Sequence, residues 1–339
     1  MRSARPVLLV LAALVVSTLV VMSPTAAQAG GRSSVTVLTF NVCGHAQGCG
    51  SWDRRETAIV RRIVASGADV VNVQEVWGVL DRLGARLAAH GYVAVASSGN
   101  EGMFAKSSTM APVTTAGTVR SCTDQRIPAG PETDTSLWVP PRRHVENGVV
   151  WYWDGTGWFH HGKVCVDEVV QTPQSGQLAL GGRASSAWAM LQVRRTKKTY
   201  LFVSAHLTTG KDSVARKRSK ETARLLAGTA AVAQGRPRVF AGDFNSSIQR
   251  GKDTVGRRLR SAGFTDSYTE ASSRAAVRYN SATGYGKKPK VGGSHIDRVF
   301  LPRGATASRW SLDVKVRGKK SVRPIPSDHS PVRVSLVLP

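Results

Sequence analysis

Arg238-Val239-Phe240-Ala241-Gly242-Asp243-Phe244-Asn245 passes from an apolar run into a glycine, a carboxylate and, two residues on, a carboxamide. Such a stretch reads as a buried strand presenting polar groups at its carboxyl end, where α/β enzymes gather catalytic side chains. Working outward, residues 35–40 read as a strand ending at Asn41, residues 70–73 as one ending at Gln74-Glu75, and residues 200–205 as one delivering His206. Further on, Ser294-His295-Ile296-Asp297 opens a strand over 296–301, and Ser327-Asp328-His329-Ser330-Pro331 precedes another over 332–338. Short polar sets thus recur at strand ends, a pattern that points to metal-assisted cleavage of a phosphate ester.

Between these strands, 52–65 carries Ala58, Ile59 and Ile63 at helical spacing with arginines opposite, and 79–89 and 211–233 read as further helices. Additional strands fall at 92–96, 103–106, 187–194 and 310–316. The alternation of β and α at the beginning, followed by many strands and few helices, predicts two packed sheets covered by helices rather than one doubly wound sheet. Residues 120–182 break the rhythm: they are rich in Gly, Pro and Trp, contain Pro140-Pro141, and offer a hairpin at 151–155 whose Asp154-Gly155 pair suits a tight turn. They read as an irregular insertion.

At the N-terminus Arg2 and Arg5 precede an apolar run from Val7 to Met22 and the small residues around Ala27-Gln28-Ala29. That run is shorter than the roughly 18 to 20 apolar residues a spanning helix needs, so residues 1–29 read as an export signal rather than an anchor. Its removal takes two arginines and no acid, which lowers the net charge from +25 to +23 and leaves one domain over 30–339. No later segment has the length or apolarity to cross a bilayer. All four cysteines lie in the exported part, and an even number in an oxidising compartment favours disulfides, with Cys43–Cys49 and Cys122–Cys165 the chosen pairing. A zinc site is disfavoured by the spacing. The default assembly is a monomer.

Asp243 and Asn245, two apart, project to one side of an extended backbone, where a carboxylate and a carboxamide orient a water and hold a phosphoryl oxygen. The same pair also suits an Asx turn closing a strand. Glu75 follows a strand too apolar to tolerate a charge without a partner, and a hard divalent cation is one such partner; the alternative is a solvated loop glutamate. Asn41, at the analogous end of the first strand, suits the same cation or its water, the alternative being a turn residue, and Asp328 is placed on the metal side. Asp297 and His329 form an orienting pair in which the carboxylate favours the imidazolium, ready to donate to a phosphoryl oxygen. His206 is a second donor, with Glu101 as its orienter.

In order, Thr39-Phe40-Asn41, Gln74-Glu75, Ser204-Ala205-His206, Gly242-Asp243-Phe244-Asn245, His295-Ile296-Asp297 and Ser327-Asp328-His329 resemble the motifs of the endonuclease/exonuclease/phosphatase superfamily. That superfamily includes deoxyribonuclease I, exonuclease III-type enzymes, inositol phosphatases and neutral sphingomyelinases. The resemblance implies an α/β fold, a four-layer α/β/β/α sandwich of two mainly antiparallel sheets, and Mg²⁺-dependent phosphoester hydrolysis, with Mn²⁺ or Ca²⁺ as alternative ions. It implies metal binding by Glu75 with Asn41 and Asp328, water alignment by Asp243, phosphate binding by Asn245, and action on phosphoryl oxygens or leaving group by His206 and by His329 oriented by Asp297. Glu101 as partner of His206 resembles the deoxyribonuclease I arrangement.

Basic residues cluster at three places: Lys211, Arg216, Lys217, Arg218 and Lys220 after His206; Lys287, Lys288 and Lys290 before Asp297; and Lys315, Arg317, Lys319, Lys320 and Arg323 before Asp328. Ringing a cleft, they would attract a polyanion, which favours an extracellular nuclease acting on DNA or RNA. Trp138, Trp151, Trp153 and Trp158 either stack on bases or pack their own insertion. The same tryptophans support a sphingomyelinase-like phospholipase C reading, with the insertion seated at a lipid interface. A phosphomonoesterase also fits, as does a non-catalytic envelope- or polyanion-binding module, the latter disfavoured by the intact polar set.

Overall fold

The computed structural model describes residues 31–44, 48–128, 143–146, 149–153, 158–182 and 184–339. The expected leader, Trp138 and the Asp154-Gly155 turn lie outside these residues. The chain runs β1 (Ser33–Asn41), α1 (Asp53–Ser66), β2 (Val70–Gln74), α2 (Leu80–Ala88), β3 (Tyr92–Ser97), β4 (Glu101–Lys106) and β5 (Met110–Pro112). There follow β6 (Thr114–Pro128), β7 (Arg143–Glu146), β8 (Val149–Trp153), β9 (Trp158–Pro173), β10 (Ser175–Gly181), β11 (Ala184–Val193) and β12 (Thr199–His206). Next come α3 (Ala215–Ala233), β13 (Arg238–Asp243), α4 (Thr254–Ser261), β14 (Thr265–Asp266), α5 (Ser267–Glu270) and β15 (Ser273–Ala275). The chain ends with β16 (Asp297–Leu301), β17 (Thr306–Leu312), β18 (Val316–Arg317), β19 (Lys320–Ser321) and β20 (Val332–Leu338).

One sheet has the order β15-β17-β20-β1-β2-β4-β3, and the other β10-β11-β12-β13-β16-β14 with β5 against β11. Both are mixed and mainly antiparallel, with parallel pairs at β1/β2, β15/β17 and β12/β13. Alternating side chains fill the space between them: Val35, Val37, Val70 and Met103 from the first sheet meet Leu191, Phe202, Val239 and Val299 from the second. On the outside, Ile59, Ile63, Leu83 and Leu87 of α1 and α2 cover Leu38, Phe40, Val71 and Val73. Leu225, Val255 and Leu259 of α3 and α4 cover Leu201, Val203, Phe240 and Phe300. Each such fully buried aliphatic side chain contributes about 1.5–3 kcal/mol relative to exposure. The result is the expected four-layer α/β/β/α sandwich.

Two local devices fix how α1 enters and leaves. Its first turn is held by Trp52, whose indole donates to Glu56 at 3.0 Å, and its last by Gly67, which adopts the left-handed conformation (φ 60°) that a helix stop uses. The chain can therefore reverse into β2 within three residues.

The insertion departs from expectation. Residues read as irregular form a long antiparallel ribbon in which β6 and β9 pair from Thr114↔Pro173 to Pro128↔Phe159, extended by β8 and β7 into a four-stranded sheet. Cys122 and Cys165 sit directly opposite one another and are disulfide-bonded, as are Cys43 and Cys49, so both expected pairings form. The ribbon's β-branched content (Thr114, Thr115, Thr118, Val119, Val169, Val170 and Thr172) suits a pleated strand. It shows no apolar alternation because most of its described side chains face solvent, including Val119 at 51% and Val169 at 71% exposure.

Candidate active site

Register alone brings the strand ends together. In the first sheet Asn41 pairs with Gln74 and Gln74 with Glu101; in the second Ser185 pairs with His206, His206 with Asp243 and Asp243 with Asp297. Two polar rows therefore lie at one end of the sandwich, and side chains cross between them. Ser185 donates to Glu101 Oε2 at 2.6 Å, and the Gln74 amide donates to Ser204 Oγ at 3.1 Å. Gly242 makes the close approach possible: it sits at φ 156°, and a Cβ there would fall 1.9 Å from the Ala205 carbonyl oxygen.

Asp243 is the hub. Its Oδ1 accepts from the Asn245 amide at 2.9 Å, while its Oδ2 is approached by Asn41 Nδ2 at 3.3 Å, His206 Nε2 at 3.8 Å and His329 Nε2 at 3.9 Å. Both imidazoles stand beyond hydrogen-bonding distance of this carboxylate. Burial and then the charge of Asp297 raise the Asp243 pKa, against the opposing pull of His329 and His206. Asn41 also donates to Glu75 Oε1 at 2.8 Å, and His206 Nε2 lies 4.0 Å from the same oxygen. Glu75 takes a left-handed backbone (φ 58°) that leaves its side chain 29% exposed, so the constellation opens to solvent at this carboxylate.

Asp297 accepts from, or shares a proton with, His329 Nδ1 at 2.8 Å. Burial by itself would lower the imidazole pKa; the charge and hydrogen bond of Asp297, with the charges of Asp243 and Asp328, overturn this and hold it at about 10. His329 is therefore an imidazolium across the neutral range, with Nε2 aimed at the Asp243 side. The expected orienting pair is present, and Ser281 Oγ anchors its strand by accepting from the amides of Ile296 and Asp297.

Two expectations change in detail. Asn245 is not on an extended backbone: β13 ends at Asp243, Asn245 adopts φ 50°, and its Nδ2 donates to Leu207 O at 2.9 Å. Asp243 closes the Asx turn by accepting from Asn245 N, and that turn places the Asn245 carboxamide beside the loop that follows His206. Glu101 faces His206 Nδ1 at 4.0 Å, too far for a hydrogen bond, whereas the Asn100 carboxamide meets that nitrogen at 3.3 Å. Glu101 is instead fixed by Ser98 and Ser185, and burial raises its pKa. Asp328 accepts from Ser327 Oγ at 3.3 Å and lies within 4.8 Å of the Cys43 and Cys49 sulfurs, in the loop neighbourhood where Gly44 N donates to Glu75 O. Those sulfurs are bonded to each other and are not metal ligands. His295 is structural: it is buried against Tyr268 and Trp310, bonds Tyr279 O at 3.1 Å, and burial lowers its pKa.

Two buried arginines that do not stand out in the sequence hold the site from behind. Arg55 of α1 donates to the carbonyls of Val42, Cys43, Gly44 and Pro326 at 2.6–3.0 Å, tying the loop after Asn41 to the loop that carries Asp328 and His329. Arg298 meets Asp266 Oδ2 and both Asp253 oxygens, and also reaches Ser246 O, the residue after Asn245, at 3.2 Å. Asp253 in turn accepts from the amide of Gly256 at the start of α4, and Asp266 from Tyr268 at the start of α5. Arg218, expected among the substrate-attracting cations, is buried and donates to the carbonyls of Thr208, Gly210 and Lys211. Its role is to shape the loop after His206.

The model of the endonuclease/exonuclease/phosphatase family matches residues 38–329. The chain belongs to this family. Among solved structures, a Bacteroides thetaiotaomicron protein of the same family aligns at 17% identity with a TM-score of 0.58, covering 91% of this chain and 99% of that one. A mannosyl-6-phosphatase of Bacteroides thetaiotaomicron gives 17% identity and TM-score 0.56 (90% and 100% covered), and D. rerio TDP2 complexed with single-strand DNA product gives 14% and 0.52 (90% and 99%). At these identities the likeness shows the fold. A search of curated protein sequences finds no match.

Family membership implies a divalent cation, and the donor set fits one. Glu75 Oε1 and Asp243 Oδ2 are hard carboxylate oxygens sharing a single donor, Asn41 Nδ2, and Glu75 leaves the position open to water. Asn41 presents nitrogen to the carboxylates while its oxygen accepts from Cys43 N at 3.0 Å, so it serves as a bridge between ligands in this arrangement. Asp243, Asp297 and His329 also bring ligand atoms within 4.8 Å of one another and form a second candidate set around the same Asp243 carboxylate.

Proposed function

We propose that this phosphoester hydrolase of the endonuclease/exonuclease/phosphatase family is an exported Mg²⁺-dependent nuclease that cleaves DNA or RNA phosphodiesters by in-line attack of water. The observation that carries the chemistry is the buried Asp297–His329 pair directed at Asp243, a fixed positive charge beside a carboxylate of raised pKa. Asp243 accepts a hydrogen bond from the attacking water and points its lone pair at phosphorus. His329 donates through Nε2 to the phosphoryl oxygens as negative charge grows, and Asp297 prevents the ring from turning or losing its proton. The ester P–O bond opposite the water breaks, its leaving oxygen taking a proton from His206, steadied by Asn100, while Asp243 takes the proton of the water and Asn245 supports the phosphate through its carboxamide. Glu75 and Asp243 would hold the cation, which supplies charge neutralisation to the phosphoryl group when bound.

Charge supports a polyanionic substrate. The chain carries a net +25, and Lys211, Arg216, Lys217, Lys220, Lys287, Lys288 and Lys290 are exposed. Two disulfides fit an oxidising destination and the leader-like N-terminus, and a monomer completes the reading. Among the described residues no helix is long and apolar enough to cross a membrane.

A second reading, hydrolysis of a phospholipid headgroup ester, draws on Val119, Val169 and Tyr152 standing exposed on the ribbon. A panel of plasmid, RNA, sphingomyelin and inositol phosphates, run with Mg²⁺ and with chelator, separates the two. Nicking of plasmid or RNA that stops on chelation and returns with Mg²⁺ is the expected outcome. Phosphocholine release from sphingomyelin with intact nucleic acid reverses the order.

A further inference from the structure

Outside the catalytic constellation, a groove of about 790 Å³ runs between the flank of α1 and the outward faces of β17 and β20, closed at one end by the 313–324 loop. It exists because α1 and α2 cover β1 and β2, whereas the neighbouring β20 turns Arg333 outward beyond the helix edge. Six cations line it: Arg61, Arg62, Arg309, Lys315, Arg323 and Arg333. Among the described residues Asp313 is the single lining carboxylate, and it is already engaged by Arg62 at 3.0 Å and Lys315 at 2.7 Å. Arg333 spends its Nε on Ser66 O. Arg61, Arg309 and Arg323 are exposed, and their guanidinium groups make no hydrogen bond or ion pair with the described residues.

This is an unusual concentration of like charge for a surface with no folding use for it. Three unpaired guanidinium groups in one concavity repel one another, and low-dielectric walls focus the resulting field. Guanidinium forks match phosphate oxygens in pairs, and apolar wall residues such as Pro324 and Val322 give a flat surface beside them. Arg323 stands five residues before Asp328, so the 313–324 loop links the groove by a short stretch of chain to the loop carrying His329.

We propose that this groove is a second nucleic-acid contact, an exosite that holds the phosphate backbone of a strand away from the scissile bond through Arg61, Arg309 and Arg323. The choice of nucleic acid as ligand rests on the nuclease reading above. Bound there, a long substrate is retained between cuts, while a short one that cannot span both places gains nothing.

The test measures binding in the full chain carrying His329→Ala, so that substrate is not consumed, using a labelled long and a labelled short duplex over about 50 to 200 mM salt. Adding Arg61→Gln, Arg309→Gln and Arg323→Gln is expected to reduce the salt slope for the long duplex by about 3, near 0.9 for each phosphate no longer neutralised. It is also expected to erase the advantage of the long duplex over the short one. The corresponding Lys triple variant keeps the charge and retains most of the slope, which distinguishes weakened phosphate binding from a misfolded chain. An unchanged slope and length advantage overturn the exosite. So does a variant that loses binding to vesicles of anionic lipid while holding duplex as before, since that assigns the groove to a membrane surface. Failure of the wild-type chain to cut any nucleic acid is a separate result: it removes the nuclease reading, whereas the exosite stands or falls on the slope alone.

Discussion

Asp297 and Arg298 are neighbours on β16 that serve opposite faces of the strand and anchor two buried charge networks of different completeness. Around Arg298 the accounting closes: its guanidinium meets two carboxylates and a carbonyl, it lies 4.5 Å from the Phe300 ring centroid, and each carboxylate also starts a helix. Around Asp297 it does not. Asp297 Oδ1 is buried without a hydrogen-bond partner among the described residues, as is Glu101 Oε1, and both imidazoles stop short of Asp243. A satisfied network holds a fold, and an unsatisfied one of the same residue types leaves room for something to bind. That difference separates scaffold from site more sharply than residue type does.

Breaking the satisfied network should have the larger effect. Arg298→Met strands Asp253 and Asp266 as buried carboxylates, and a loss of about 3–5 kcal/mol of folding stability is expected. Chemical denaturation checks it; a midpoint near wild type would mean that the two acids find water or protons without cost. Any folded fraction should also show impaired turnover, because Ser246 O is released beside Asn245.

In the unsatisfied network, His329→Ala should reduce kcat by a factor of at least ~10², with the fold retained. Single-turnover kinetics on the best substrate of the panel decide it, and a rate near wild type would remove His329 from the chemistry. Asp297→Asn sharpens the point at smaller cost. With the main cause of the raised His329 pKa gone, the alkaline limb of the pH–rate profile should move from near 10 toward neutrality. The sign carries over to folding. A histidine with a raised pKa contributes stability that is fully present below its unfolded value near 6.5 and lost as pH rises through about 10, so the wild-type chain should lose this contribution on the alkaline side and the variant should not.

Much of the fold and site was legible in the sequence, for a physical reason. Buried strands must be apolar, so Asn41, Glu75, His206, Asp243 and Asp297 stand out against 35–40, 70–73, 200–205, 238–241 and 296–301, and pairing register places Asn41, His206, Asp243 and Asp297 in rows, with Glu75 directly after Gln74. Tertiary pairing was not legible. Arg55, Arg218 and Arg298 look like surface cations in a basic chain, and only folding shows them bonded to carbonyls and acids from distant segments. Asn245 was misplaced because a two-residue spacing assumes that the strand continues, whereas its left-handed φ ends it. The ribbon escaped notice because a strand wet on both faces has no apolar alternation to read.

The ribbon's root carries a consequence for how this chain can vary. β6 and β9 leave and re-enter the sandwich side by side: Gln174 N donates to Val113 O at 2.7 Å, and Val113 N to Met190 O at 2.9 Å. The described strands β6 and β9 therefore join the sandwich at neighbouring points, and a short turn joining Val113 to Gln174 is expected to preserve β5, β10 and the catalytic rows. Such a joint makes the ribbon a place where length and sequence can change at little cost to the sandwich that carries the catalytic rows.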